Sequence, residues 1–170
     1  MRSVGVAIVV AVLMGAAPVW AQSEMEIYQQ QGDRLLTNSR EGIEQNVMLA
    51  TQALRQKDFK TARKYAQAVT RADPKRGQAF LLLGAAQIGL KDFKGARGTY
   101  TTAVRLSPGD PEAHAGLGVA MARTKDAKAQ TQLDWLAAKA AECGKCWQAA
   151  QLAKFKSDIE SALAVAAKGA

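Results

Sequence analysis

The sequence predicts an all-α fold: a solenoid of about three stacked helix pairs, closed by a C-terminal capping helix. Three observations carry this. Several unrelated positions recur every 34 residues, the mark of a repeat array. One place in each unit is always small. Near the end of the chain, Ala149, Leu152, Phe155, Ile159, Leu163 and Ala166 form a single apolar helical stripe.

Residues 1–21 stand apart. Arg2 gives a positive start, an apolar run extends from Val4 to Ala17, and Val19 and Ala21 place compact residues just before Gln22. This is the layout of a secretory signal cleaved after Ala21. The rival reading, an uncleaved anchor, needs about 20 apolar residues, and the run is short for that. A periplasmic or secreted location is expected, and no later stretch is apolar enough to span a membrane. Residues 22–42 are polar and Gln-rich, and are expected to form an arm or a short extra helix. Asn38 followed by Glu41 looks like a capping box opening the first repeat helix.

Residues 43–142 hold the repeats, in units 43–76, 77–110 and 111–142. Lys57-Asp58-Phe59-Lys60 returns as Lys91-Asp92-Phe93-Lys94 and again as Lys125-Asp126-Ala127-Lys128. Pro74 and Pro108 keep the same step, as do Leu49, Leu83 and Leu117. The small position is Ala50, Gly84 and Gly118, which lets two helices approach closely. On this reading Gly84→Leu overpacks the core while Gly84→Ala is mild, since Ala50 fills the same slot. Asp58, Asp92 and Asp126 each precede a helical stretch and are expected to N-cap it. Asp110-Pro111-Glu112 is a further helix start, and Pro74 and Pro108 close the second helices.

These residues resemble the tetratricopeptide repeat family, whose pattern is W-x2-L-G-x2-Y, then A-x3-F, then P. Unit 77–110 fits best, with Phe80, Leu83-Gly84, Gln87, Ala96, Tyr100 and Pro108. Unit 43–76 has Asn46, Leu49-Ala50, Ala53, Ala62, Ala66 and Pro74. Unit 111–142 begins with His114, Leu117-Gly118 and Met121, then departs: Gln130 stands where a small residue is expected, with Ala129 one place earlier. The resemblance implies a right-handed αα-solenoid with a concave surface built from the first helix of each unit. Carried across, that surface is Val47, Thr51 and Leu54 in the first unit, Gln78, Leu81, Ala85 and Ile88 in the second, and Ala115 and Val119 in the third. Glu44, Arg55, Glu112 and Arg123 fall at its edges. The family's clamp for chaperone tail carboxylates uses Lys and Asn at positions where this chain has neither. The groove is apolar and suits a helical or extended apolar segment, or the chain's own residues 22–42 or capping helix.

Residues 143–170 comprise a Cys143-Gly144-Lys145-Cys146 turn and the capping helix. An even cysteine pair in an exported protein reads first as a disulfide. The alternatives are a redox-active pair, free thiols or a metal site, although two cysteines fall short of the usual four zinc ligands. Trp147 follows, so this is no haem-attachment motif. His114 lacks a paired acid or cysteine and reads as packing. No nucleophile elbow or phosphate loop appears, so neither catalysis nor a cofactor or metal is expected.

The net charge is +8, or +7 without residues 1–21. This favours anionic partners, including envelope components, while nucleic acid does not suit an exported protein without a nucleic-acid motif. Lys57, Lys91 and Lys125, with Lys60, Lys94 and Lys128, would align as basic columns at one rim, either a ridge for a partner or a solvated face. Three functions stay open: an extracytoplasmic adaptor binding protein through the groove, a thiol-redox protein using the cysteine pair, and an architectural envelope part held by the rim.

Overall fold

The computed structural model describes residues 39–144, 146 and 148–168. The chain divides into two compact units, Met1–Gly42 and Ile43–Ala170, and the architecture below is that of the second. The expected signal segment, Asn38 and most of the polar arm lie outside the described residues. The described helices are α1 Arg40–Arg55, α2 Phe59–Ala72, α3 Gly77–Gly89, α4 Phe93–Leu106, α5 Pro111–Arg123, α6 Ala129–Cys143 and α7 Ala149–Lys168. They form three pairs, α1/α2, α3/α4 and α5/α6, followed by the capping helix α7. From α2 onward each helix packs on the next; α3 also meets α5, and α5 meets α7. First helices and capping helix thus line up on one side, as stacking of units requires.

One backbone device turns each pair. Lys57, Lys91 and Lys125 have φ of 60°, 61° and 57°, the left-handed conformation that ends many helices. Lys91 N–H donates to Ile88 O and Asp92 N–H to Gln87 O, both at 2.9 Å. These are the paired bonds of a Schellman motif. Lys57-Asp58 and Lys125-Asp126 repeat them onto Leu54 and Ala53, and onto Ala122 and Met121. The aspartate then opens the following helix: Asp58 accepts from Thr61 N–H at 3.1 Å and Asp92 from Gly95 N–H at 3.0 Å. The Lys-Asp pair is therefore a two-residue hinge that finishes one helix and starts another.

The third hinge differs, and the expected cap at Asp126 is corrected. Asp126 accepts from Lys128 N–H at 3.0 Å and pairs with Arg97 at 3.0 Å. Helix α6 starts only at Ala129, preceded by Lys128 without a side-chain cap. The late start carries Ala129, fully buried, into the slot left open by the exposed Gln130. At α5, Asp110 accepts from Glu112 N–H at 2.9 Å, with Pro111 in the first turn. At α1 the capping oxygen is Ser39 Oγ, accepting from Gly42 N–H at 3.0 Å.

The core is a ladder of small tiers. Val47, Val69 and Ala79 make the first, Ala50, Ala66 and Leu83 the second, and Ala53, Ala62 and Ala86 the third, each joining α1, α2 and α3. Further along, Ala96, Tyr100 and Ala103 of α4 meet Ala113, Leu117 and Ala120 of α5. Leu136, Leu152 and Ile159 join α6 to α7 around Ala115. Ala162, also buried against Ala122 and Ala129, completes the α7 stripe.

Tyr100 alters the simple rule about small residues. A Cβ built on Gly84 would stand 2.5 Å from its ring, and one on Gly116 would also overlap it. The ring passes from α4 between these two glycines, one on α3 and one on α5. Gly84→Ala, expected to be far milder than Gly84→Leu, still meets the ring and so is not free of cost. Ala50 is tolerated one repeat earlier because its partner there is Ala66, where the next unit has Tyr100.

His114 is 7% exposed and stacks on Trp135, with centroids 3.7 Å apart and planes 11° apart. Its Nε2 lies 2.9 Å from Pro108 O, which can only accept, so that nitrogen carries the proton. Its Nδ1 lies 2.7 Å from Gln132 Oε1 on α6. The residue is a packing and pinning element between α5 and α6, as its place in the repeat suggested.

Candidate functional site

Helices α3, α5 and α7 wall a cleft of about 450 Å³. Ala85 and Ile88 come from α3, and Ala115, Gly116 and Val119 from the middle of α5. Helix α7 supplies Phe155, Ala162 and Val165, with Asp158 and Ser161 among them. Glu112 and Arg123 lie at the two ends of the α5 stretch, and Tyr100 reaches the cleft from behind. Val165 is 51% exposed, one of the large apolar side chains most open to solvent among the described residues.

Ala85, Ile88, Ala115 and Val119, expected in the groove, meet here. The other expected groove residues do not line it. Val47 is 8% exposed in the first core tier, so it belongs to the interior. It falls there because α2 and α3 close over that face of α1. Thr51 is half-buried and its hydroxyl donates to Val47 O at 2.8 Å. Leu54 packs on the third tier, and Leu81 on the α4/α5 cluster. Gln78 is exposed and accepts from Arg76 at 3.3 Å. The third wall, α7, was not assigned to the groove from sequence. The available signal was Ala162 and Val165, apolar residues beside the main stripe.

The edge charges have distinct fates. Glu44 receives two bonds from Arg76, at 2.7 and 2.9 Å, which hold the guanidinium charge and raise its pKa. The Arg123 guanidinium lies 4.4 Å from the Phe93 ring centroid, a cation–π distance. Asp158 pairs with Lys154 at 2.9 Å on the α7 surface. Glu112 has no such pairing among the described residues. Its place at the start of α5 favours the charged form, yet burial outweighs this and pushes its carboxyl up, with the nearby Asp110 charge adding. Burial likewise pushes the Tyr100 phenol far up, and Glu112 adds to that.

The rim lysines Lys57, Lys60, Lys91, Lys94, Lys125 and Lys128 are all exposed. The sulfurs of Cys143 and Cys146 meet across the α6–α7 turn, with Cα atoms 5.3 Å apart, a spacing that a disulfide spans. Gly144 takes φ 58° there, and Cys143 is half-buried against the α6/α7 cluster. No helix among the described residues is long and apolar enough to cross a membrane.

A family model described as a tetratricopeptide repeat matches residues 47–111 and 89–142, together more than half of the chain. No curated protein matches the sequence. Among solved structures, the type III secretion translocator chaperone SycD of Yersinia enterocolitica is similar, with a TM-score of 0.64 at 20% identity over 73% of this chain and 93% of that one. SycD in complex with a peptide of the translocator YopD scores 0.63 at 20% identity, over 73% and 94%. The TPR2B domain of yeast Sti1, from a structure described as a pHsp70 complex, scores 0.61 at 19% identity, over 70% and 96%. At these identities the likeness is one of fold.

Proposed function

Because this chain belongs to the tetratricopeptide repeat family, a family of protein-interaction modules, we propose that it is an extracytoplasmic adaptor holding a segment of another protein in the α3/α5/α7 cleft. The cleft itself carries the reading. Its volume of about 450 Å³ falls in the range of true ligand sites. Its floor is apolar and runs on to the open Val165 at its lip, a contiguous apolar surface of the kind that marks a contact site. A helix face or an extended apolar stretch would fit. The similarly folded SycD, solved in complex with a peptide of the translocator YopD, supports a peptide occupant. The reading is of a binding protein and not a catalyst.

The test is site-directed photocrosslinking in cells. A benzophenone amino acid at Val165 or Ile88 is expected to capture a discrete partner, while one at Lys60 or Lys94 is not. Val165→Glu is expected to abolish capture from Ile88 with helix content unchanged. Capture from the lysine positions alone would move the site to the basic rim and defeat the cleft reading.

Export belongs to the same proposal. Residues 1–21 have the composition of a cleaved signal, and the cysteine sulfurs already meet, which suits an oxidising compartment and a structural disulfide. Intact mass of the envelope-fraction protein should show a chain beginning at Gln22 and two hydrogens lighter than its reduced form. A full-length, fully alkylatable protein would refute both parts.

A further inference from the structure

We propose that the cleft selects a lysine or arginine side chain within the segment it holds, received by the Glu112 carboxylate and the Tyr100 hydroxyl. The proposal rests on the cleft being the partner site, and adds the chemistry of what enters it.

The polar groups of the cleft differ in how far they are already engaged. Arg123 is spread over Phe93, and Asp158 is tied to Lys154. Tyr100 is only 4% exposed, and among the described residues its hydroxyl has no hydrogen-bond partner. The Gly84 and Gly116 gap lets the ring pass from α4 to the cleft wall. The ring is buried while Tyr100 lines the cleft, so an occupant of the cleft can supply the hydroxyl with a partner.

Glu112 is the second unpaired group, and its surroundings fix the sign of charge that suits it. A smaller recess of about 110 Å³ adjoins the cleft through Glu112 and Phe155, and is lined further by Asp110, Gln148 and Gln151. This end presents two carboxylates and two side-chain amides. An anion would meet repulsion there. A neutral donor would satisfy hydrogen bonds but leave Asp110 and Glu112 facing each other. An ammonium has three donors and a guanidinium five, and neither can accept. A long aliphatic stem suits the apolar floor along Ala115 and Gly116, with the charged head beyond it. The upward push on the Glu112 carboxyl from burial and Asp110 is the push a bound cation would offset. The site thus takes a charge of the same sign as the chain as a whole, +8, so net charge misleads about the partner.

The experiment is selection of random peptides of about twelve residues against the full chain. Enriched peptides are expected to carry Lys or Arg beside apolar residues. Replacing that Lys by norleucine should weaken binding at least about tenfold, the size of a charge-assisted hydrogen bond. In Glu112→Gln the two peptides should bind nearly alike, and Tyr100→Phe should weaken only the Lys peptide. Purely apolar or acidic winners, or indifference to norleucine with binding still lost in Val165→Glu, would overturn the cation proposal alone. Winners that bind Val165→Glu normally, or no enrichment at all, would overturn the cleft reading and this proposal with it.

Discussion

Adding one methyl group at Gly84 tests the packing most directly. In Gly84→Ala the new Cβ would lie 2.5, 2.7 and 2.8 Å from three Tyr100 ring atoms. Ordinary contact begins near 3.4 Å, so the ring must retreat by most of an ångström. Gly116 limits that retreat, since even a Cβ there would overlap Cε1, Cζ and Cε2 of the same ring. Overpacking of this kind costs about 1–3 kcal/mol, and three simultaneous overlaps with a limited exit place it near the upper end. Helix propensity opposes it, because Ala is better than Gly inside a helix by about 1 kcal/mol. The net expectation is a loss of about 2 kcal/mol. In a Tyr100→Ala background the overlap is gone and the site resembles Ala50 against Ala66. There Gly84→Ala should stabilise by about 1 kcal/mol. Urea unfolding of the four proteins measures the cycle, and its coupling of about 3 kcal/mol appears as a change of sign. A Gly84→Ala variant neutral or stabilising in both backgrounds would refute the threaded ring.

Lys91→Gly should raise the unfolding free energy by about 1 kcal/mol and the urea midpoint with it, since a left-handed non-glycine residue carries a strain of that order; a lower midpoint would mean the lysine stem contributes packing that outweighs its backbone strain. Glu112→Gln should stabilise at pH 7 and lose that advantage as pH falls through the raised folded value, with none left below about 4.5, the ordinary glutamate value. The sign follows because burial raises the folded carboxyl, so its ionised form penalises the folded state at high pH and protonation relieves that. The difference between variant and parent across a pH series of melting curves checks it, and a constant difference down to pH 3 would count against it.

Much of the fold was legible because it is written in local chemistry. Asp58 and Asp92 cap where the spacing placed them, and the small slot of Ala50, Gly84 and Gly118 is buried in every unit. What escaped depends on neighbours distant in sequence. The lysines read as rim charge are also left-handed hinge residues, and lysine carries no preference for that conformation that a sequence could reveal. Val47 and Ala85 both fall at positions the resemblance assigns to the inner face, yet one is sealed by the units around it and the other lines the cleft. The cleft needed α7 as a wall, and an apolar stripe reveals that a helix is covered without saying which residues beside it stay open. Ala129 shows the converse: the irregular residue in the third unit marked a departure from the repeat without saying which, and the structure shows α6 beginning late.

Tyr100 also bears on how such an array can grow. Tandem proteins lengthen by copying a unit in phase, and residues 77–110, with a matching hinge, look suited to duplication. The residue that corresponds to Gly116 within that unit is Leu82. A second copy inserted after the first would therefore bring a leucine against the ring, where the present neighbour offers only hydrogen. The middle unit does not fit after itself, and the unit that follows it is selected by the shape of one side chain.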